Sequence, residues 1–235
     1  MRLLAGMRWP EVGPVVVLVP VGSLEQHGPA LGLATDAVVA THVTRHAVSR
    51  MKGREQDFVV APTVPYGASG EHEDFLGTIS IGHEALHLML VELCRSASRW
   101  ARGVVLVNGH GGNVASLVSA VTQLRDEGRS VAWTSCRAAD VDAHAGRAET
   151  SLMLALAPET VDRRRLAPGC TEPVATLMPR LRSEGVRAVS PTGVLGDPTT
   201  ATPEAGRRIL VEMVDRLVAE LGSLDVGSQG RLTWT

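Results

Sequence analysis

An α/β fold with a mostly parallel sheet covered on both faces is predicted by three observations. Short β-branched runs at 14–21, 58–62, 103–108 and 130–135 alternate with amphipathic segments at 36–51, 84–100, 113–127 and 205–221, the pattern of strands joined through crossover helices. The first and third runs are apolar at nearly every position, as strands buried on both faces must be. The chain of 235 residues, 44% of them hydrophobic, can bury a substantial core, and no glycine-serine linker or shift of composition divides it, so one domain over 1–235 is expected.

The elements follow in order. Val15, Val16, Val17, Leu18, Val19 and Val21 form the first strand, and Glu25-Gln26-His27-Gly28 leaves its carboxyl end, where the ligand crevice of an open α/β sheet lies. A loop containing Pro29 and Gly32 leads to Asp36 at the start of a helix and is long enough to fold back over Glu25 and His27. Phe58 to Pro62 reads as a short strand. From it the polar segment Tyr66 to Asp74 runs towards Thr78–Ile81 and has the composition of a binding loop, with Ser69, Glu71 and His72 as its candidates for touching substrate; a plain hydrophilic connection would read the same way. Gly103 to Asn108 is a second buried strand, and Gly109-His110-Gly111-Gly112-Asn113 a glycine-rich turn into the helix Val114 to Glu127. Trp133, at the end of the run Ser130 to Ser135, could wall a pocket or pack in the core. With four Trp, one Tyr and two Phe in the chain, the core must rest on Val, Leu and Ala.

Carboxylates and imidazoles recur at these element ends: Glu25, His27, Asp36, His110, and then His144 and Glu149. Borderline divalent ions accept imidazole nitrogen and carboxylate oxygen, and one carboxylate can give an oxygen to each of two ions. Asp36 is the candidate bridge. Glu25, Asp36 and Glu149 would offset much of the charge of two dications, with His27 and His110 completing the set. Each residue also has a plainer reading: Glu25 and His27 as a solvated patch, Asp36 as a helix N-cap, His110 as part of an ordinary strand-to-helix turn, Glu149 as a first-turn acid, and His144 as an exposed loop histidine. Four separate segments placing metal-compatible residues at loop or element ends favour the joint site.

The order Glu25-x-His27, Asp36, Asn-Gly-His110-Gly-Gly-Asn and His144-x-Gly-x-x-Glu149-Thr-Ser resembles the creatininase family of amidohydrolases. Val64 to His72 and Phe75 to Ile81 are also similar to that family, so the resemblance spans roughly residues 15 to 157. It implies a layered α/β/α sandwich; two divalent ions on Glu25, His27, Asp36, His110 and Glu149, with Zn²⁺, Fe²⁺ or Mn²⁺ as candidates; His144 as acid/base; and a homo-oligomer, a hexamer or larger ring. Val189 to Thr202 and Glu204 to Ile209 are similar to a branch acting in the mycofactocin system, peptidases that trim a modified precursor peptide and release a Val-Tyr-derived fragment; many family members could share such a proline-rich loop. The chain departs from creatininase at Gly112, where that enzyme carries a glutamate whose charge Glu149 is expected to supply. It departs again at Ala30 and Gly32, where the family often has histidine and proline, leaving the ligands in place but altering the loop.

In such a site, water activated between two ions attacks an amide carbonyl, and a near-neutral imidazole, His144, protonates the leaving nitrogen. A small cyclic amide or formamide is the alternative substrate class, and a non-catalytic metal- or peptide-binding scaffold the alternative outside enzymes. The net charge of −2 and the scattered Lys and Arg argue against nucleic acid, and Arg163-Arg164-Arg165 reads as a solvated turn. No apolar stretch approaches the ~20 residues that span a bilayer, and no secretory signal is seen, so a cytoplasmic location is expected. Cys94, Cys136 and Cys170 fit reduced thiols, Cys94 in the core and Cys170 in a loop that could lie near the site or an interface.

Overall fold

The computed structural model describes residues 2–51, 53, 57–139 and 141–233. Four strands, β1 (Val16–Val21), β2 (Phe58–Val60), β3 (Gly103–Asn108) and β4 (Val131–Ser135), form a wholly parallel sheet in the order β2-β1-β3-β4. Val16, Leu18, Val105 and Val107 point to one face of the sheet, and Val17, Val19, Val104 and Leu106 to the other. This period-two division of unbroken apolar runs is what two covered faces require.

On the first face lie α1 (Thr35–Arg50), α4 (Arg147–Leu156) and α6 (Pro203–Ser223), contributing Val39, Val43, Leu152, Met153, Leu217 and Leu221 to the core. On the second lie α2 (Gly82–Ala97) and α3 (Val114–Asp126), contributing Leu86, Leu90, Cys94, Leu117 and Leu124. The three layers are those expected, with element ends differing by up to three residues. The chain moves from β1 out to β2, then crosses back over β1 to β3. That reversal makes the carboxyl ends of β1 and β3 the topological switch point, where an open α/β sheet forms its crevice.

Three features add to the expected pattern. Helix α4 begins within the His144–Ser151 motif. Helix α5 (Val174–Val189) was not foreseen; Pro179 lies inside it and Gly185 breaks its geometry at φ 76°. A short antiparallel pair, β5 (Asp225–Val226) and β6 (Leu232–Thr233), closes the C-terminal part. Trp133 is core rather than pocket wall: it is buried on the α2/α3 face and its indole N–H donates to Gln229 O at 2.9 Å. Cys94 is core as expected, and Cys170 packs on the small apolar cluster of Leu177, Leu181, Val186 and Leu195. Arg164 and Arg165 are exposed around Asp162, the solvated turn anticipated.

Candidate active site

The loops after β1 and β3 meet at the switch point. Glu25 N donates to Leu33 O at 3.1 Å, closing the intervening loop and returning the chain so that α1 starts above Glu25 and His27. Helix α1 sits close on the strand ends because position 109 is glycine: a Cβ there would lie 2.5 Å from Asp36 O. The helix N-cap is Ala34, so the capping reading of Asp36 fails. Its carboxylate turns inward instead, accepting a 2.7 Å hydrogen bond from the Ser23 hydroxyl, with Oδ1 3.2 Å from His27 Nε2 and Oδ2 3.1 Å from His110 Nδ1.

Two asparagines hold the glycine-rich turn. Asn108 Oδ1 accepts from His110 N and from Asn113 Nδ2 (both 3.2 Å), and Asn113 Nδ2 also donates to Gly22 O at 2.9 Å, tying the turn to the end of β1. On the opposite side His144 pairs with Leu195 through backbone bonds, and Ala145 N donates to Glu149 Oε2 at 2.6 Å. That carboxylate stands 3.8 Å from His27 Nε2.

The six residues Glu25, His27, Asp36, His110, His144 and Glu149 therefore converge, and Glu25, His27, Asp36, His110 and His144 are buried. This removes the readings of Glu25 and His27 as a solvated patch and of His144 as an exposed loop histidine. Ser69, Glu71 and His72 border the cluster too. Ser69 Oγ is 3.4 Å and Glu71 Oε1 3.6 Å from His110 Nε2, and His72 Nε2 is 3.5 Å from Glu25 Oε1. Their segment is no plain hydrophilic connection, since Ser69 and His72 are buried and residues 70–72 form a 3-10 turn. A Cβ at 112 would lie 2.7 Å from Glu71 Oε1, so Glu71 borders that glycine whereas Glu149 lies against His27.

The donor set fits divalent cations. Both Glu25 oxygens are buried without a hydrogen-bond partner among the described residues, although His110 Nδ1 is 3.1 Å from Oε1. An unpaired buried carboxylate is costly unless something positive completes it. The imidazoles are turned accordingly. His27 Nδ1–H donates to Glu25 O and His110 Nε2–H to Ala68 O, each at 3.2 Å, which turns His27 Nε2 and His110 Nδ1 towards the carboxylates as the nitrogens an ion would take on displacing their protons. Among the described residues, potential ligand atoms lie within 4.8 Å of one another in each of three groups: Glu25, His27 and Asp36; His27, His144 and Glu149; and Glu25, His72 and His144.

The electrostatics agree. Burial works against charge on His27, yet Asp36 and Glu149 outweigh it and hold the imidazole up at about 10. Burial likewise opposes His110, but Glu25 and Asp36 lift it well above the usual histidine range. A carboxylate field that retains protons on two buried imidazoles is one a dication can occupy in their place. Desolvation pushes Glu149 up to about 7 against the pull of His27. His144 is driven the other way: burial first, then His27 and His72, lower it well below the usual value, so it stands as a neutral base.

Sequence reasoning passed over two residues of this site. Ser23 precedes the first ligand pair by two positions, and nothing in its neighbours marks it. Gln26 lies between Glu25 and His27, and its side chain reaches His72, His144, Gly28 and Gly193. Only the distant loop that carries Gly193 reveals its place.

The family model for creatinine amidohydrolase matches residues 5–221. The chain is 52% identical over 229 residues to the mycofactocin precursor peptide peptidase of Mycobacterium ulcerans (strain Agy99), covering 96% of this chain and 90% of that protein. It is 52% identical over 219 residues to the protein of the same name from Mycolicibacterium smegmatis (strain ATCC 700084 / mc(2)155), covering 93% and 89%. A solved structure described as creatininase Mn superposes with a TM-score of 0.79 at 28% identity, covering 94% of this chain and 98% of that one. With the sheet order, the switch-point cluster and these likenesses in agreement, the chain belongs to the creatininase family, hydrolases that act on amide C–N bonds.

Proposed function

We propose that this protein is a metal-dependent peptidase that hydrolyses an amide bond in a modified ribosomal precursor peptide, releasing a C-terminal Val-Tyr-derived fragment in mycofactocin biosynthesis. The observation that carries the substrate is the 52% identity to a mycofactocin precursor peptide peptidase across 96% of the chain. The chemistry rests on the buried, unpartnered Glu25 carboxylate at the centre of the nitrogen and oxygen donors.

In this reading Glu25, His27, Asp36, His110 and Glu149 would hold two divalent ions, with Asp36 as the candidate bridge. The 3.2 and 3.1 Å approaches of its two oxygens to two different imidazoles support that bridging role. Zn²⁺, Fe²⁺ and Mn²⁺ all suit imidazole and carboxylate donors. Bound there, the ions supply Lewis acidity and lower the pKa of water.

The protein's own groups do the rest. His144, neutral and with Nδ1 3.9 Å from Glu25 Oε1, takes a proton at that nitrogen and returns it to the leaving amine. Ser69, Glu71 and His72 border the approach to His110 and Glu25, where they exclude water and meet the peptide. The protein works in the cytoplasm as a homo-oligomer, a hexamer or larger ring.

The test counts divalent ions per protomer in anaerobically purified wild type and in Asp36→Ala, then assays cleavage of the modified precursor peptide beside small cyclic amides and formamides. About two ions, lost in the variant, with cleavage of the peptide alone, is the expected result. Turnover of only the small amides would transfer the site to another substrate class. No ion in either protein after adding metal back would overturn the mechanism.

A further inference from the structure

Four imidazoles surround Glu25 and Asp36, and three of them share one arrangement. His27 Nδ1 donates to Glu25 O, His110 Nε2 to Ala68 O, and His144 Nε2 lies 2.9 Å from Gln26 O, an oxygen that can only accept. In each ring the outer nitrogen carries a hydrogen for a backbone carbonyl and the inner one faces the carboxylates. His72 is the exception.

The orientation of the Gln26 amide settles it. Its Oε1 lies 2.8 Å from Gly28 N, which can only donate, and its Nε2 lies 3.1 Å from Gly193 O, which can only accept, so the amide cannot be turned over. One amide hydrogen goes to Gly193 O, and the other goes to His72 Nδ1 at 2.8 Å. His144 Nε2, 3.1 Å from the same amide nitrogen, already carries a hydrogen for Gln26 O and cannot accept. His72 Nδ1 is therefore an acceptor, and the His72 hydrogen sits on Nε2, facing Glu25 Oε1 at 3.5 Å. The rings of His72 and His144 stand 4.5 Å apart and turn opposite functions towards the same carboxylate.

We propose that Gln26 is a positioning residue that sets these two tautomers, through its amide for His72 and its backbone carbonyl for His144. His72 thereby turns an N–H towards Glu25 and is withheld from metal ligation, while His144 keeps a bare Nδ1 for proton transfer. The grouping of Glu25, His72 and His144 is then an N–H and a base facing one carboxylate and does not form a third ion site. The kinetic meaning of this assignment rests on the peptidase reading above; the tautomers themselves do not.

The experiment uses the full chain, with ¹⁵N-labelled histidine, free of metal and then zinc-loaded, and two-bond ¹H–¹⁵N spectra of the rings assigned with His72→Asn and His144→Asn. Wild type is expected to show His72 protonated at Nε2 and not at Nδ1. Gln26→Glu places an acceptor against His72 Nδ1 and should move the hydrogen there, with the His144 pattern unchanged. Gln26→Met, which offers neither donor nor acceptor, should leave His72 a mixture, and it serves if the charged variant does not fold. On the loaded enzyme Gln26→Glu should lower kcat about 10–100-fold with metal content and KM retained. An Nδ1–H tautomer of His72 in wild type, or an unaltered His72 spectrum in a folded Gln26 variant, would overturn the assignment. The ring spectra read Gln26 whether or not the peptide is cleaved, so a wrong substrate and a wrong tautomer are told apart.

Discussion

The Ser23 hydroxyl donates a 2.7 Å hydrogen bond to Asp36 Oδ2, and both side chains are buried. Through it the chain just beyond β1 fixes the rotation of a carboxylate on the first turn of α1, so that each Asp36 oxygen faces a different imidazole. Ser23→Ala should leave that carboxylate free to turn. Groups that orient ligands typically contribute about 10–100-fold in metal affinity, and a loss of that size is expected in chelator competition. Unchanged affinity would show that Asp36 does not need Ser23, or does not hold metal.

His144 separates a proton carrier from a ligand. Its Nδ1 lies 3.9 Å from Glu25 Oε1, and its pKa is depressed by burial and by its imidazole neighbours His27 and His72. His144→Ala should retain both ions while turnover falls roughly 10²-fold or more, the usual value of general acid–base catalysis. Metal analysis beside single-turnover kinetics checks this, and empty sites in the variant would make His144 a ligand.

Much of this architecture could be read from local composition. The runs of β1 and β3 are apolar and β-branched without interruption, and a strand buried on both faces leaves that trace. The ligand candidates were legible because the crevice of such a sheet lies where its strands end, and the turn around His110 carries glycines that a helix interior would not. Helix α5 was hidden by Pro179 and Gly185, which interrupt its apolar period. Helix α4 was legible only at its start, in the reading of Glu149 as a first-turn acid, which its place in the first turn of α4 bears out. Gln26 could not be recognised, since its partners are set by packing between loops 167 positions apart.

Alkaline stability should follow the buried thiols. Burial pushes Cys94 up to about 12, and burial with Asp36 and Glu220 pushes Cys136 up to about 12, against 9.0 for a free thiol. A group whose folded pKa is raised favours the folded chain fully below its unfolded pKa, and the advantage is lost as pH rises towards the folded value. Their contribution should therefore decline from pH 9 towards about 12. The difference in urea midpoint between wild type and Cys94→Ala should shrink across that window. A constant difference would mean that Cys94 ionises alike in both states.

Glu220 on α6 is buried, accepts from Thr134 Oγ1 at 2.5 Å and lies 3.3 Å from Arg216 Nε, fastening the helix to β4. Thr134→Val keeps the shape and removes the donor. Hydrogen bonds to charged groups contribute about 1.5–3 kcal/mol, so chemical denaturation should show a loss of that order. An unchanged midpoint would mean that the remaining Arg216 contact compensates.

Gly193 is where the distant loop touches the site. Its φ of +80° is a conformation side chains rarely adopt, and a Cβ there would stand 1.9 Å from Gln26 Oε1. Gly193→Ala must therefore move the Gln26 amide, although position 193 lies outside the proposed ligand set. Metal content should be retained, kcat should fall by about 10-fold or more, and the His72 ring should lose its single tautomer, as in Gln26→Met. Asn113, which ties the His110 turn to β1 through Gly22 O and Asn108 Oδ1, should keep its bonds. Comparing ring spectra of Gly193→Ala with those of wild type checks the coupling: a His72 pattern that does not change while kcat drops would place the effect of Gly193 in the backbone of its own loop rather than in Gln26.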